Sequence, residues 1–280
     1  MVRTDLALEM HGRLQKNPAS LHGIQVVTEE ETDGITIRTV TIETENAAKA
    51  MGKPKGMYIT IEFTNNLAKP SFRKQVISIT AKKLKNLLPL SYEKDAFHLG
   101  MTEESNLSVL VVGLGNRNVE IDALGPKVID KIYMSRHIMK EFGKNVFASE
   151  EISCISGIAP GVIAETGMEA GEIVAGIVRE TEPDFVITID ALVGRSTKRI
   201  GTTIQLTNTG IVPGGGVGMH KKAISQEKIG IPVISIGVPT VIDASYGFFL
   251  TPKNLSEIVE DMSGVIARVI EKAVYGSMIK

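Results

Sequence analysis

The sequence predicts an α/β fold: a twisted, mainly parallel sheet flanked by helices, with a β-rich portion at its N-terminal end. Three observations carry that expectation. From residue 107 onward, short apolar runs alternate with amphipathic stretches, as successive βα units do. Those runs are almost continuous in β-branched residues, like strands buried on both faces of a parallel sheet. Residues 24–63 instead alternate β-branched and polar positions with glycine between them, the pattern of antiparallel strands with one wet face.

In chain order, "GITIRTVTIE" (34–43) and "GMYITIEF" (56–63) are the antiparallel candidates. The Lys-rich segment 71–88 places apolar residues at helical spacing. Next come the runs "LSVLVVGLG", "EEISCISGI", "PDFVITIDAL" and "IPVISIGVP", with "TTIQLT" (202–207) as a further strand. Helices are expected over about 125–142 and 167–181, and a closing helix over about 254–275. The chain therefore reads as a single α/β unit spanning 1–280, of which 1–70 is the β-rich portion. Ligands of such sheets bind beyond the carboxyl ends of the strands, which directs attention to the loops after Gly113, Gly157, Asp190 and Gly237.

Composition excludes several classes of function. Lys plus Arg total 31 against 32 Asp plus Glu, so no global charge draws the chain to nucleic acid or to a membrane surface. No run reaches the ~18 apolar residues of a membrane span, and the charged, amphipathic start lacks the apolar core of an export signal. With no tryptophan and 5% aromatic residues, stacking on bases is disfavoured. The single cysteine, Cys154, excludes an internal disulfide and suits a reducing cytoplasm; its apolar setting predicts a buried thiol.

The stretch "VVGLGNRNVEIDALGPKVID" (111–130) opens like a dinucleotide loop, but Asn118 occupies the place of the third glycine. The helix is delayed to about Leu124, and the next strand ends without an acid, so nucleotide binding is disfavoured. What stands out instead is Asp122, and with it Asp190, which ends an apolar run. A carboxylate so placed costs free energy unless it is solvated, paired or used. If their strands are neighbours, ~4.8 Å apart, the two acids could share a proton. One would then deprotonate water while the other polarises a carbonyl. The competing reading makes each aspartate an N-cap for the helix that follows.

Taken together, "VRTDLALE", "VVGLGNRNVEIDALGPKVID", "SGIAPGVIAETG", "PDFVITIDALVGRS", "PGGGVGMHKKAIS" and "GIPVISIGVPTVIDA" resemble the germination endopeptidase (spore protease) family, in order over most of residues 1–244. The resemblance implies an atypical aspartic endopeptidase of phosphorylase/hydrolase-like fold, shared with hydrogenase maturation endopeptidases. Its substrates would be small acid-soluble spore proteins, cut beside acidic residues during germination, with Asp122 and Asp190 as the catalytic acids and no obligatory cofactor. It further implies a homotetramer in the spore or forespore cytoplasm, made as a zymogen that processes itself between Asp5 and Leu6. Met1 lies only a few residues upstream of that bond, so either the prosegment is very short or the sequence begins late within it. Between "PTVIDA" and "SYGFFLTPKNL" the family's long insertion is missing.

Arg195, Lys198 and Arg199 follow Asp190 and are candidates to bind an acidic substrate residue, against the alternative of a solvated loop. "PGGGVG" (213–218) either admits an extended peptide or simply connects. His220 could complete an Asp-Asp-His metal site, as in the related maturation enzymes, and Asn116 is expected to hold the glycine turn, against the alternative of donating to an oxyanion. The rival functions are thus a metal-dependent maturation peptidase and a non-catalytic nucleotide-binding module.

Overall fold

The computed structural model describes residues 4–14, 22–31, 34–64, 67–89, 107–143, 153–213, 223–244 and 248–275. The first element is α1 (Ala7–Leu14), followed by β1 (Ile24–Glu31), β2 (Ile35–Ile42), α2 (Glu45–Met51), β3 (Gly56–Phe63) and α3 (Pro70–Lys85). The βα portion comprises β4 (Ser108–Gly113), α4 (Leu124–Ile129), α5 (Arg136–Phe142), β5 (Cys154–Ile158), α6 (Ile163–Thr166), α7 (Ala170–Thr181) and β6 (Phe185–Gly194). It closes with β7 (Thr203–Thr207), α8 (Gln226–Ile229), β8 (Val233–Asp243), β9 (Phe249–Leu250) and α9 (Leu255–Val274).

The nine strands among the described residues belong to one sheet, ordered β1-β2-β3-β7-β8-β6-β4-β5, with β9 paired to the end of β8. The run β5-β4-β6-β8 is parallel, whereas β7 joins β8 and β3 antiparallel and so fuses the N-terminal hairpins to the parallel core. The sequence reading thus holds for the α/β class. Two details differ. Strand β1, the outer edge, had not been singled out within 24–63, because its polar, largely exposed residues carry no apolar stripe.

The second difference is the expected helix over 125–142, which is two helices parted at 130–135. Backbone donors in the gap are claimed by tertiary partners: the Tyr133 amide by Glu271 Oε1 (3.1 Å) and the Ser135 amide by the Ile155 carbonyl (3.0 Å). Local periodicity cannot foresee such competition.

The two faces of the sheet are covered differently. On one, Val109, Val111, Ile187, Ile189, Ile234 and Ile236 are buried beneath α3, α4 and α9. Helix α9 presents Leu255, Val259, Met262, Ile266 and Ile270 to that core, an i, i+3/i+4 stripe. On the other face the cover is split. Helix α7 packs Val174 and Val178 over Leu110, Val112 and Val186, while α1 and α2 cover Val40, Ile42 and Tyr58. Between these two clusters the sheet carries polar residues instead, and a cleft opens there.

Candidate active site

The floor of the cleft comes from strict alternation along the central strands. In β6, Thr188 and Asp190 point away from the helix-packed core that holds Ile187 and Ile189. Register aligns Thr188 with Ser235 and Asp190 with Gly237 on β8, and Gly237 with Gln205 on β7. Directly paired residues project to the same face, so these form one polar band; Thr188 Oγ1 donates to Ser235 Oγ (2.7 Å). The apolar runs seen in the sequence are therefore not buried alike on both faces. Thr, Ser and Gly at every second position had been absorbed into them as strand formers.

Asp190 is 5% exposed, and its Oδ1 accepts from the Ala191 amide (2.9 Å). It lies within β6, four residues before the strand ends, rather than at the carboxyl tip expected from the sequence. The reason is that β6 and β8 keep pairing past Asp190 as far as Gly194 and Ile242, with a bulge between Leu192 and Val193. The bulge skips Thr240 of β8, beside Pro239, which has no amide to donate. No helix follows Asp190, so it caps none.

Asp122 reaches the cleft from the loop after β4. Two glycines explain the loop's shape. A Cβ on Gly113 would sit 2.2 Å from the Gly125 carbonyl oxygen, so its absence lets α4 press against β4. Gly115 has φ +112°, and a Cβ there would sit 2.0 Å from the Asp122 carbonyl oxygen. The chain turns back on Asp122, whose Oδ2 accepts from the Asn116 amide (2.7 Å). Asn116 Oδ1 in turn accepts from the Asn118 amide (2.8 Å), the turn-holding role expected of it. Thr240 Oγ1 donates to the Ile121 carbonyl (2.7 Å), fastening the single 3₁₀ turn Glu120–Asp122 to β8. Ala123, not Asp122, stands at the N-cap of α4, without a side-chain cap bond.

Asp122 and Asp190 line the same cleft, of about 1140 Å³, together with Leu114, Ser235 and Gln205. The segment beginning at Thr4 enters it too. Asp5 and Val193 exchange two bonds: the Asp5 amide donates to the Val193 carbonyl (2.9 Å), and the Val193 amide donates to Asp5 Oδ2 (2.8 Å). Leu6 and Ala7 are fully buried. Burial pushes the Asp5 carboxyl above its ordinary range, against the lowering pull of the Val193 amide and Lys53. The same burial pulls the Lys53 ammonium down, and Asp5 opposes that shift.

The basic candidates behave differently. Arg195 and Lys198 are exposed on the turn past β6, and Arg199 pairs with Glu9 (3.0 Å) and Glu62 (2.7 Å); none of the three lines the cleft. Lys53 and Gln205, which do, were missed. Cys154 is half-buried on β5 rather than buried, since β5 is the outer parallel strand. His220 and most of "PGGGVG" lie outside the described residues. Among the described residues, no group of three or more His, Cys, Asp or Glu is arranged to hold a metal ion, and no helix is long and apolar enough to cross a membrane.

The fold and site define an α/β protein with two aspartates in a cleft on the open face of a mixed sheet. Residues 2–246 match the family model described as germination protease, and the chain belongs to that family. It is 45% identical over 245 residues to a germination protease of Bacillus cereus (strain AH187) and 44% identical to those of Bacillus cytotoxicus and Bacillus mycoides. Each alignment covers 87% of this chain and 64% of the relative, so the chain spans a little under two thirds of the relatives' length. Among solved structures, a [NiFe] hydrogenase maturation protease, HycI from Thermococcus kodakarensis KOD1, aligns over 60% of this chain and 94% of its own, with 19% identity and a TM-score of 0.34.

Proposed function

We propose that the chain is an endopeptidase, with Asp122 and Asp190 as the acid pair that hydrolyses the peptide bond. One observation carries the reading: the two aspartates share a cleft with the chain's own Thr4 and Asp5, the latter bound to the backbone of β6. Carboxylates close together cannot both ionise easily, so one takes a proton from water while its protonated partner polarises the carbonyl. Membership of the germination protease family supports small acid-soluble spore proteins as substrates and the spore cytoplasm as the place of action. The finer features proposed with it are cleavage beside acidic residues, a homotetramer, and self-processing between Asp5 and Leu6. The continuous sheet supports treating the chain as one unit. Arg195 and Lys198 are available to substrate beyond the cleft, whereas Arg199 is engaged by Glu9 and Glu62.

The test is incubation with a purified small acid-soluble spore protein, with and without EDTA, followed by mass determination of the fragments. The expected result is a small set of cuts beside Glu or Asp that EDTA leaves unchanged. Absence of cuts overturns the peptidase reading. Chelator-sensitive cuts replace the acid pair with a metal-dependent mechanism, for which His220 would be the first substitution.

A further inference from the structure

Thr4 and Asp5, just ahead of α1, line the cleft where a ligand would sit, and what holds them describes a peptide-binding subsite. Gln205, 6% exposed on β7, grips the backbone on both sides of Leu6: its Nε2 donates to the Asp5 carbonyl (3.3 Å), and its Oε1 accepts from the Ala7 amide (2.8 Å). Such a pair of bonds reads main chain alone and fixes its register without regard to side chains. The Asp5 carboxylate is held separately. It takes the Val193 amide, just past the bulge of β6, and it shares the cleft with Lys53, near enough for the two charges to act on each other.

Lys53 is a costly residue to keep there. It follows Gly52, whose left-handed φ of 62° ends α2, and its own amide donates to the Ala48 carbonyl (3.1 Å), so the backbone beneath it is fixed. The ammonium lies 5.7 Å from the centre of the Tyr58 ring, and Tyr58 is anchored by its hydroxyl on the Pro54 carbonyl (2.8 Å). A half-buried lysine braced in this way, with an aspartate opposite, reads a negative charge.

We propose that Lys53, with the Val193 amide, is the specificity-determining subsite for an acidic side chain, and that Gln205 is the positioning residue that sets the register of the peptide carrying it. The Asp5 side chain occupies this subsite in the chain's own structure. The proposal deepens the peptidase reading, and its second test arm rests on that reading; the first does not.

The first arm uses the full chain and measures amide hydrogen exchange over residues 4–10. Asp5→Asn and Lys53→Met should each speed exchange by at least about tenfold, and the double variant should exchange within about threefold of the faster single variant. Single effects that simply multiply in the double variant overturn the subsite. The second arm compares kcat/KM for a peptide copying residues 2–9 with that for its counterpart carrying asparagine at the Asp5 position.

Wild type should favour the acidic peptide by at least about tenfold, Lys53→Met should cut that preference to below about threefold, and Gln205→Leu should slow both peptides to the same extent. A Lys53→Met protein that keeps the wild-type preference overturns the assignment. If neither wild type nor Asp5→Ala, whose own side chain vacates the subsite, cuts either peptide, the peptidase reading falls, and the exchange result alone decides the subsite.

Discussion

The two faces of the central sheet are built from the same strands and do opposite things. Along β6, Ile187 and Ile189 enter a core closed by three helices, while Thr188 and Asp190, one residue away in each case, point to the opposite face, where Asp190 lines an open cleft. Along β8, Ile234 and Ile236 alternate in the same way with Ser235 and Gly237. Stability is therefore concentrated on one face, where apolar area leaves water. The other face carries a buried carboxylate and hydroxyl groups that add little to stability but place polar groups where a peptide can reach them. The pleat keeps the two tasks separate, so each should respond to substitution in its own way.

The largest expected effect comes from the point where both faces depend on one backbone approach. Gly113→Ala forces a methyl group to 2.2 Å from a backbone oxygen of α4, which has nowhere to go, and should cost about 3 kcal/mol or more while also displacing Asp122. Urea unfolding read together with activity should show both losses. Next, Ile266→Ala opens a cavity in the closed core; a loss of about 3 kcal/mol with kcat retained is expected in the same assays.

On the open face the order reverses. Ser235→Ala strands the buried Thr188 hydroxyl and should cost about 1–2 kcal/mol, whereas the double variant Thr188→Val with Ser235→Ala should lie nearer to wild type. An equal loss in both would break the comparison. A further effect appears only at alkaline pH. Burial pushes Tyr58 up to about 12 from its ordinary 10.0, and Tyr275 likewise. The folded chain holds these protons where the unfolded chain has released them, so their contribution is present below pH 10 and disappears as pH rises to 12. Tyrosinate absorbance should show late titration that Tyr58→Phe reduces.

Much of this could be read from sequence, and the remainder has a physical reason for being hidden. The βα succession and the antiparallel N-terminal strands followed from periodicity. Asp190 stood out because an acid near the end of an apolar run demands an explanation, and Asp122 because it interrupts what opens as a glycine-rich phosphate loop. The alternation "TID", "SIG" and "TIQLT" was present as well, but whether such residues are covered depends on where helices lie, and the gap between α7 and α1 is a tertiary fact. The same holds for Lys53, Gln205 and Asp5, which sequence separates widely and the sheet brings together. Arg195 and Arg199 attracted attention through proximity in sequence to Asp190, yet the extra four residues of β6 carry them past the cleft.

The most direct test of the central claim is single-turnover cleavage of a small acid-soluble spore protein by Asp122→Asn and Asp190→Asn, with Tm measured on the same samples. Each substitution should lower the rate by at least about 10³-fold. Because Asp190→Asn removes a charge from a site only 5% exposed, its Tm should match or exceed that of wild type. A variant that still cleaves within about tenfold of wild type, with its fold intact, would contradict the assignment of the acid pair.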